Sequence, residues 1–308
     1  MPGGTDGYAP YEAAAAYRFA HGGTAMLVLD GDTISYQRYR SPDIADAPQR
    51  LFSISKGFSC LIAAAAVDDG LLAWDEPVSR VLPDWQSRNG RSTITVRDLL
   101  SLSSGLDPSR GDASDSDQLA RQSVQAALAA AVLAPPGRRF AYGPYPFLAF
   151  AKVVQASTGQ RADVYLRQRV LDRLGIRVSW LGTSDGHPHL ADGALMTPGH
   201  LLRLGRFVRD GGRWNGQQVV SREALQECFK PGAAKRTYGM GWWLGGGLDR
   251  PEAWSMAARG QFNQGLYIFP QKSRVVVILG DPAAARNRGF DERTFLRTLS
   301  RVEELPLN

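Results

Sequence analysis

Strand-like runs lie at both ends of this sequence and helical runs fill its middle, and that order restricts the fold more than any other feature. Residues 24–30 and 33–39 are alternating, β-branched runs joined through Asp30-Gly31-Asp32, which predicts a hairpin. Four more strand-like runs come late, at residues 238–244, 253–258, 265–269 and 274–280, with a turn at 270–273 between the last two. Helical patterning fills the interval. Residues 53–69 are apolar enough for a buried helix and end at Gly70, and another helix begins within 95–102. Residues 107–117 read as a Ser/Asp/Gly loop, and the Ala-rich 118–133 stops at Pro135-Pro136-Gly137. Helices at 147–157, closed by Thr158-Gly159, and at 162–174 follow. Thr197 supplies an N-cap and Pro198 a first helical residue for 199–210. Residues 11–20 and 290–305 add a helix at each end.

Two early strands and late strands joined by short turns predict an α/β fold of the α+β type. Its core is a mostly antiparallel five-stranded sheet flanked by terminal helices. Residues 1–70 and 191–308 form this body, and residues 71–190 form an inserted all-helical lobe. A chain of 308 residues buries a core without metal or disulfide support. Hydrophobic and charged contents of 44% and 21% exclude a disordered chain. The longest apolar run, residues 60–67, falls well short of the ~18 needed to span a bilayer. Residues 1–10 have neither a basic start nor an apolar stretch, so no signal peptide is read there; a cytoplasmic protein and a trimmed exported one both stay open. Cys60 and Cys228 permit one disulfide, although Cys60 on the buried helix reads as space-filling.

The net charge of +6 rests on 36 basic residues, of which five are Lys (Lys56, Lys152, Lys230, Lys235, Lys272) and the rest Arg. They are spread along the chain without blocks, zinc fingers or aromatic RNA-binding strands, so a solvated Arg-rich surface is expected rather than nucleic-acid binding. The scarcity of Lys makes each one informative.

Lys56 follows Ser53 by three residues, in Phe52-Ser53-Ile54-Ser55-Lys56-Gly57, at the start of the predicted buried helix. That spacing puts both side chains on one face. A Ser hydroxyl becomes a good nucleophile only when a base takes its proton, and a Lys serves as that base when burial or a nearby cation keeps it neutral. Helix N-terminal N–H groups would favour the negative charge that develops. A capping Ser beside a surface Lys remains the alternative from this pair alone.

The surrounding landmarks resemble those of the serine β-lactamase and penicillin-binding-protein superfamily, especially its class C-like esterase and amide-hydrolase branch. Ser53-Ile54-Ser55-Lys56 with Ala63-Ala64-Ala65-Ala66-Val67-Asp68-Asp69-Gly70 is similar to the family's first helix and exit. Ile94-Thr95-Val96-Arg97-Asp98-Leu99-Leu100-Ser101, Met196-Thr197-Pro198, Gly211-Gly212-Arg213-Trp214-Asn215-Gly216 and Tyr238-Gly239-Met240-Gly241-Trp242-Trp243 follow in family order. The resemblance covers about residues 24 to 280 and implies a Ser-Lys-Tyr hydrolase. Tyr142, in Phe140-Ala141-Tyr142-Gly143-Pro144, takes the place of the family's Tyr beside the nucleophile. Pro144 stands where the family commonly has an amide or hydroxyl in the substrate site. Ala258-Arg259-Gly260 aligns with the family's Lys-Thr-Gly triad, so the Lys is absent. The resemblance further implies an oxyanion hole from the N–H groups of Ser53 and Gln261. Gly260 would allow close approach of substrate, and Arg259 would be either a partner for a substrate carboxylate or a solvated strand residue.

The expectation is therefore a serine hydrolase of carboxylesterase or amidase type, working through an acyl-enzyme on a small-molecule ester or amide. A β-lactamase, a D-Ala-type peptidase or acyltransferase, and a non-catalytic binding protein of the same fold are the alternatives. No cofactor and no metal is implied, and His187-Pro188-His189 reads as a polar loop. Trp242, Trp243, Trp254 and Tyr267 are core aromatics or cleft residues. Oligomeric state is left open.

Overall fold

The computed structural model describes residues 9–87, 90–109, 122–245, 255–285 and 289–300. The hairpin forms as expected, with β1 at Gly23–Asp30 and β2 at Thr33–Tyr39. Three two- or three-residue strands come next: β3 (Gln49–Arg50), β4 (Ser179–Trp180) and β5 (Ala194–Met196). They make a small antiparallel sheet in the order β3-β5-β4. A two-stranded ribbon, β6 (Arg213–Trp214) and β7 (Gln217–Gln218), precedes the late strands β8 (Trp243–Gly245), β9 (Ser255–Gly260), β10 (Gln264–Phe269) and β11 (Arg274–Gly280).

The main sheet has the order β2-β1-β11-β10-β9-β8, with every pair antiparallel. It therefore has six strands where five were expected. The sixth, β8, is a short edge strand that lines up only Trp243 to Gly245 against β9. The predicted run from 238 does not extend because Tyr238–Trp243 closes on itself: Gly239 N–H donates to the Trp242 carbonyl at 2.8 Å.

Burial along β1 and β11 is nearly continuous because both faces of the sheet are covered. Ala25, Leu27 and Leu29 with Val275, Val277 and Leu279 face the larger core, which includes the helices of the middle of the chain. Met26 and Val28 with Val276 and Ile278 face the terminal helices, packing on Tyr11, Ala14 and Ala15 and on Phe295 and Leu299. Those helices are Ala9–Ala20 and Glu292–Ser300; the predicted extension to 305 lies outside the described residues.

The helix Lys56–Asp68 is buried from Lys56 to Ala66, as a sequence apolar on all sides requires. Helices Tyr145–Thr158 and Arg222–Glu227 pack against it. Cys60 does more than fill space: it forms a disulfide with Cys228, 168 residues away, tying this helix to the end of Arg222–Glu227. Several caps hold as read. Thr95 and Asp98 form a capping box on Val96–Leu100, and Thr197 Oγ1 accepts the His200 N–H at the start of Pro198–Arg209. The predicted 162–174 helix is continuous, with a wider π-type turn at Arg167–Leu171. Of 118–133, only Val124–Ala129 is helical among the described residues.

Candidate active site

Ser53 lies in a short 3₁₀ turn, Phe52–Ser55, that runs into the helix beginning at Lys56. Phe52 enters this turn at φ +49°, a left-handed conformation that costs a bulky side chain energy. Two contacts hold it there: the Phe262 ring meets it edge-on at 4.9 Å between centroids, and the Arg50 guanidinium lies 4.3 Å from its ring centre. The turn is also sewn to β5. Leu51 N–H donates to the Ala194 carbonyl at 2.8 Å, and the buried Ser55 hydroxyl accepts the Ala194 N–H at 3.0 Å.

Lys56 is 2% exposed and its Nζ donates to Ser53 Oγ at 2.9 Å. The predicted pair thus meets on one helix face. The amine also donates to the Ala191 carbonyl at 3.0 Å and lies 3.5 Å from Asp192 Oδ1. It sits 4.9 Å from the centre of the Tyr142 ring and 5.7 Å from that of Phe147. Tyr142 is held at this spot by Ala141 N–H, which donates to the Leu102 carbonyl, and by near-parallel stacking on Trp243 at 6.1 Å. Tyr238 packs edge-on against both Tyr142 and Trp243. Gly241 makes this close packing possible: at φ +81° it passes so near the Lys56 carbonyl that a Cβ would stand 2.4 Å from the oxygen.

The end of β9 passes the same turn. A Cβ on Gly260 would come within 2.5 Å of the Leu51 carbonyl oxygen, so only glycine lets the strand end lie there. Gln261 follows in the turn to β10, and its Oε1 is buried without a partner among the described residues. Arg18, wholly buried on the N-terminal helix, steadies the turn by donating to the carbonyls of Phe262 and Leu279. Burial of that guanidinium, the largest influence on it, lowers its pKa to about 10.

Two expected contributors make other contacts. Strand alternation turns Arg259 to the face of the terminal helices, where it pairs with Glu292 at 2.8 Å and lies over Trp243. Its guanidinium is committed there rather than to the Ser53 cluster. Pro144 is buried as the N-cap of Tyr145–Thr158, its carbonyl accepting from Phe147 and Leu148 N–H. Among the tryptophans and Tyr267, Trp243 stacks on Tyr142, Trp242 packs on Phe229, Tyr267 donates to Glu292 on the opposite face, and Trp254 lies outside the described residues.

One residue of the cluster was not anticipated. Asp192, 3% exposed, accepts the Ser53 hydroxyl at 2.7 Å through Oδ1. It arrives on a tight turn directly before β5. Gly193 N–H donates to the His189 carbonyl at 2.8 Å, and Asp192 N–H is within 3.2 Å of both that carbonyl and His189 Nδ1. Arg50 Nε donates to the Asp192 carbonyl at 3.3 Å. His189 is fully buried, and burial lowers its pKa to about 4, so the ring is neutral at pH 7. Its Nδ1 accepts from Asp192 N–H and its Nε2 then donates to Gln122 Oε1 at 3.0 Å. The His187-Pro188-His189 segment is thus a support for the cluster and belongs to no metal-binding group among the described residues. The sequence signal that could have flagged Asp192 is a lone carboxylate among small apolar residues, Leu190-Ala191-Asp192-Gly193-Ala194, just ahead of a capped helix.

A serine hydroxyl bonded to a buried amine and a buried carboxylate, at the N-terminal end of a core helix, is an arrangement able to carry acyl transfer. Comparisons with known proteins identify the family and the fold. LipL of Mycobacterium tuberculosis, named an esterase/β-lactamase, is 31% identical over 164 residues, a match covering 50% of this chain and 37% of LipL. The chain therefore matches well under half the length of that relative. The crystal structure of a Bacteroides dorei protein with a provisional β-lactamase designation superposes with a TM-score of 0.82 at 17% identity, covering 96% of this chain and 98% of the other. EstCE1, described as a hydrolase with promiscuous acyltransferase activity, gives 0.75 at 17% identity over 96% and 97%. The Beta-lactamase family model matches residues 12–288. With a match that omits only the two ends of the chain, this protein belongs to the β-lactamase family.

Proposed function

We propose that the protein is a serine hydrolase that cleaves a small ester or amide through an acyl-enzyme. The observation that carries this reading is the 2.9 Å hydrogen bond from the buried Lys56 amine to Ser53 Oγ. Ser53 attacks the substrate carbonyl, and the N–H groups of Ser53 and Gln261 receive the oxyanion, a stabilisation of about 3 kcal/mol per donor. Lys56 and Tyr142 assist the proton transfers that accompany attack and leaving-group departure, and water releases the acid. The esterase activity in the name of LipL and the hydrolase and acyltransferase activity described for EstCE1 support acyl transfer from an ester or amide. Pro144 and Ala258 offer no side-chain hydrogen bond where β-lactam recognition would use one, which supports esters or amides over β-lactams.

The test is a panel of p-nitrophenyl esters, short anilides and a chromogenic cephalosporin, with fluorophosphonate labelling followed by intact mass. Expected are one adduct, its loss in Ser53→Ala, and ester turnover above cephalosporin turnover. Equal labelling of Ser53→Ala, or no labelling of the native protein, ends the hydrolase reading. Preference for the cephalosporin over every ester would make the protein a β-lactamase.

A further inference from the structure

We propose that Asp192 is a catalytic residue: its carboxylate, rather than the Lys56 amine, takes the proton from Ser53 during acylation. This rests on the hydrolase reading above and specifies who moves the proton within it.

The direction of the hydrogen bonds leads to this assignment. An ionised carboxylate only accepts, so the 2.7 Å contact between Ser53 Oγ and Asp192 Oδ1 uses the serine hydrogen. That hydrogen is then not available to a lone pair on Lys56. The amine instead faces three oxygens that all take hydrogens from it, Ser53 Oγ, the Ala191 carbonyl and Asp192 Oδ1, at 2.9, 3.0 and 3.5 Å. Three donors meeting three acceptors is the pattern of an ammonium, and such a group supplies protons.

The step balances without any outside reagent. The Ser53 O–H bond breaks, its proton passes to Asp192 Oδ1, and Oγ bonds to the substrate carbonyl carbon. When the tetrahedral species collapses, the carbon–leaving-group bond breaks and the leaving group takes a proton from Lys56 Nζ, which already touches Ser53 Oγ. Asp192 then returns its proton to Lys56 across the short gap between them. The net transfer is one proton from serine to leaving group.

The site is built to hold the carboxylate still. Its own turn is fixed by the neutral His189, and β5 is paired to β3 at Gln49↔Met196 and Arg50↔Leu195. The charged and titratable groups facing Asp192 are Lys56 from the buried helix, Arg50 from β3, His189 from its own turn and the fully buried Tyr238 from before β8. Two of these are cations, and the Tyr238 phenol is held protonated by its burial.

Asp192→Asn tests the assignment, because an amide oxygen keeps the hydrogen-bond position and removes the basicity. The readouts are the fluorophosphonate labelling rate of Ser53, kcat and KM on the best ester, and Tm. The expected result is a labelling rate and kcat lower by at least about 100-fold, with KM within threefold and Tm within a few degrees. A rate within threefold of native overturns the assignment and returns the base role to Lys56, while Ser53 labelling itself survives. Failure of the hydrolase reading looks different, since the native protein would then not label. If Asp192→Asn does not fold, the native labelling rate from pH 6 to 9 decides. A flat profile supports a carboxylate base, and a tenfold rise per pH unit overturns it.

Discussion

His189 offers a quantitative link between the loop that presents Asp192 and the stability of the whole molecule. The ring is fully buried, with Nδ1 accepting the Asp192 N–H and Nε2 donating to Gln122. Its pKa, about 4 in the fold, lies below the 6.5 it has in the unfolded chain, chiefly because burial disfavours the imidazolium. Above pH 6.5 both states hold a neutral ring, and the native state carries no penalty. As the pH falls from 6.5 to 4, the unfolded chain binds a proton that the folded one refuses, so stability drains across that window and levels off below it. A difference of 2.5 pKa units corresponds to about 3 kcal/mol lost between pH 7 and pH 4. His187 and His200 are also lowered by burial and titrate in part of the same range, so the variant, not the native curve, isolates the effect. His189→Asn retains an acceptor near the Nδ1 position and cannot take the proton. Urea unfolding at pH 7 and pH 4 under one ionic strength gives four free energies. The expected result is that native protein loses about 3 kcal/mol more than His189→Asn on acidification. Equal losses in the two proteins would refute the reasoning and remove the neutral-ring picture of the Asp192 turn.

Three further outcomes follow from the packing. Replacing both Cys60 and Cys228 by Ala opens a loop of 168 residues and should cost about 5 kcal/mol on the chain-entropy view, read as a lower urea midpoint; a loss under about 1 kcal/mol would contradict it. Gly260→Ala places a methyl 2.5 Å from the Leu51 carbonyl oxygen, so the turn carrying Gln261 must move and labelling of Ser53 should slow by about tenfold or more. An unchanged rate would remove Gln261 from the oxyanion site. Arg18→Met strands the carbonyls of Phe262 and Leu279 and should lower stability by about 2 kcal/mol in urea unfolding, whereas no loss would mean that water replaces the guanidinium.

What could be read in advance follows from how local each signal is. The hairpin Gly23–Asp30 to Thr33–Tyr39, the Thr197-Pro198 start and the Ser53–Lys56 spacing are written within a few residues, and each appears as read. β1, read as an alternating run, is instead buried on both faces, because helices cover the sheet on each side. Asp192 was not legible because 139 residues separate it from Ser53, and the strands that join them, β3 and β5, have two and three residues and no periodic pattern. The Cys60–Cys228 bond is equally non-local. The partner of Arg259 was not legible because the family triad fixes a strand position but not the face its middle side chain takes, and alternation brings it to Glu292. The run at 238–244 yields strand only from Trp243, because its glycines fold the preceding residues against Lys56.

The Ser53 oxygen as the atom that becomes acylated is the point on which the chemistry turns. Acid-quenching native protein during turnover of a p-nitrophenyl ester, then digesting it and sequencing the peptides by mass spectrometry, addresses that atom. The acyl group is predicted on Ser53 itself, and to be absent from Ser53→Ala. An acyl group on another residue of the native protein, or the same modified peptide yield from Ser53→Ala, would contradict it.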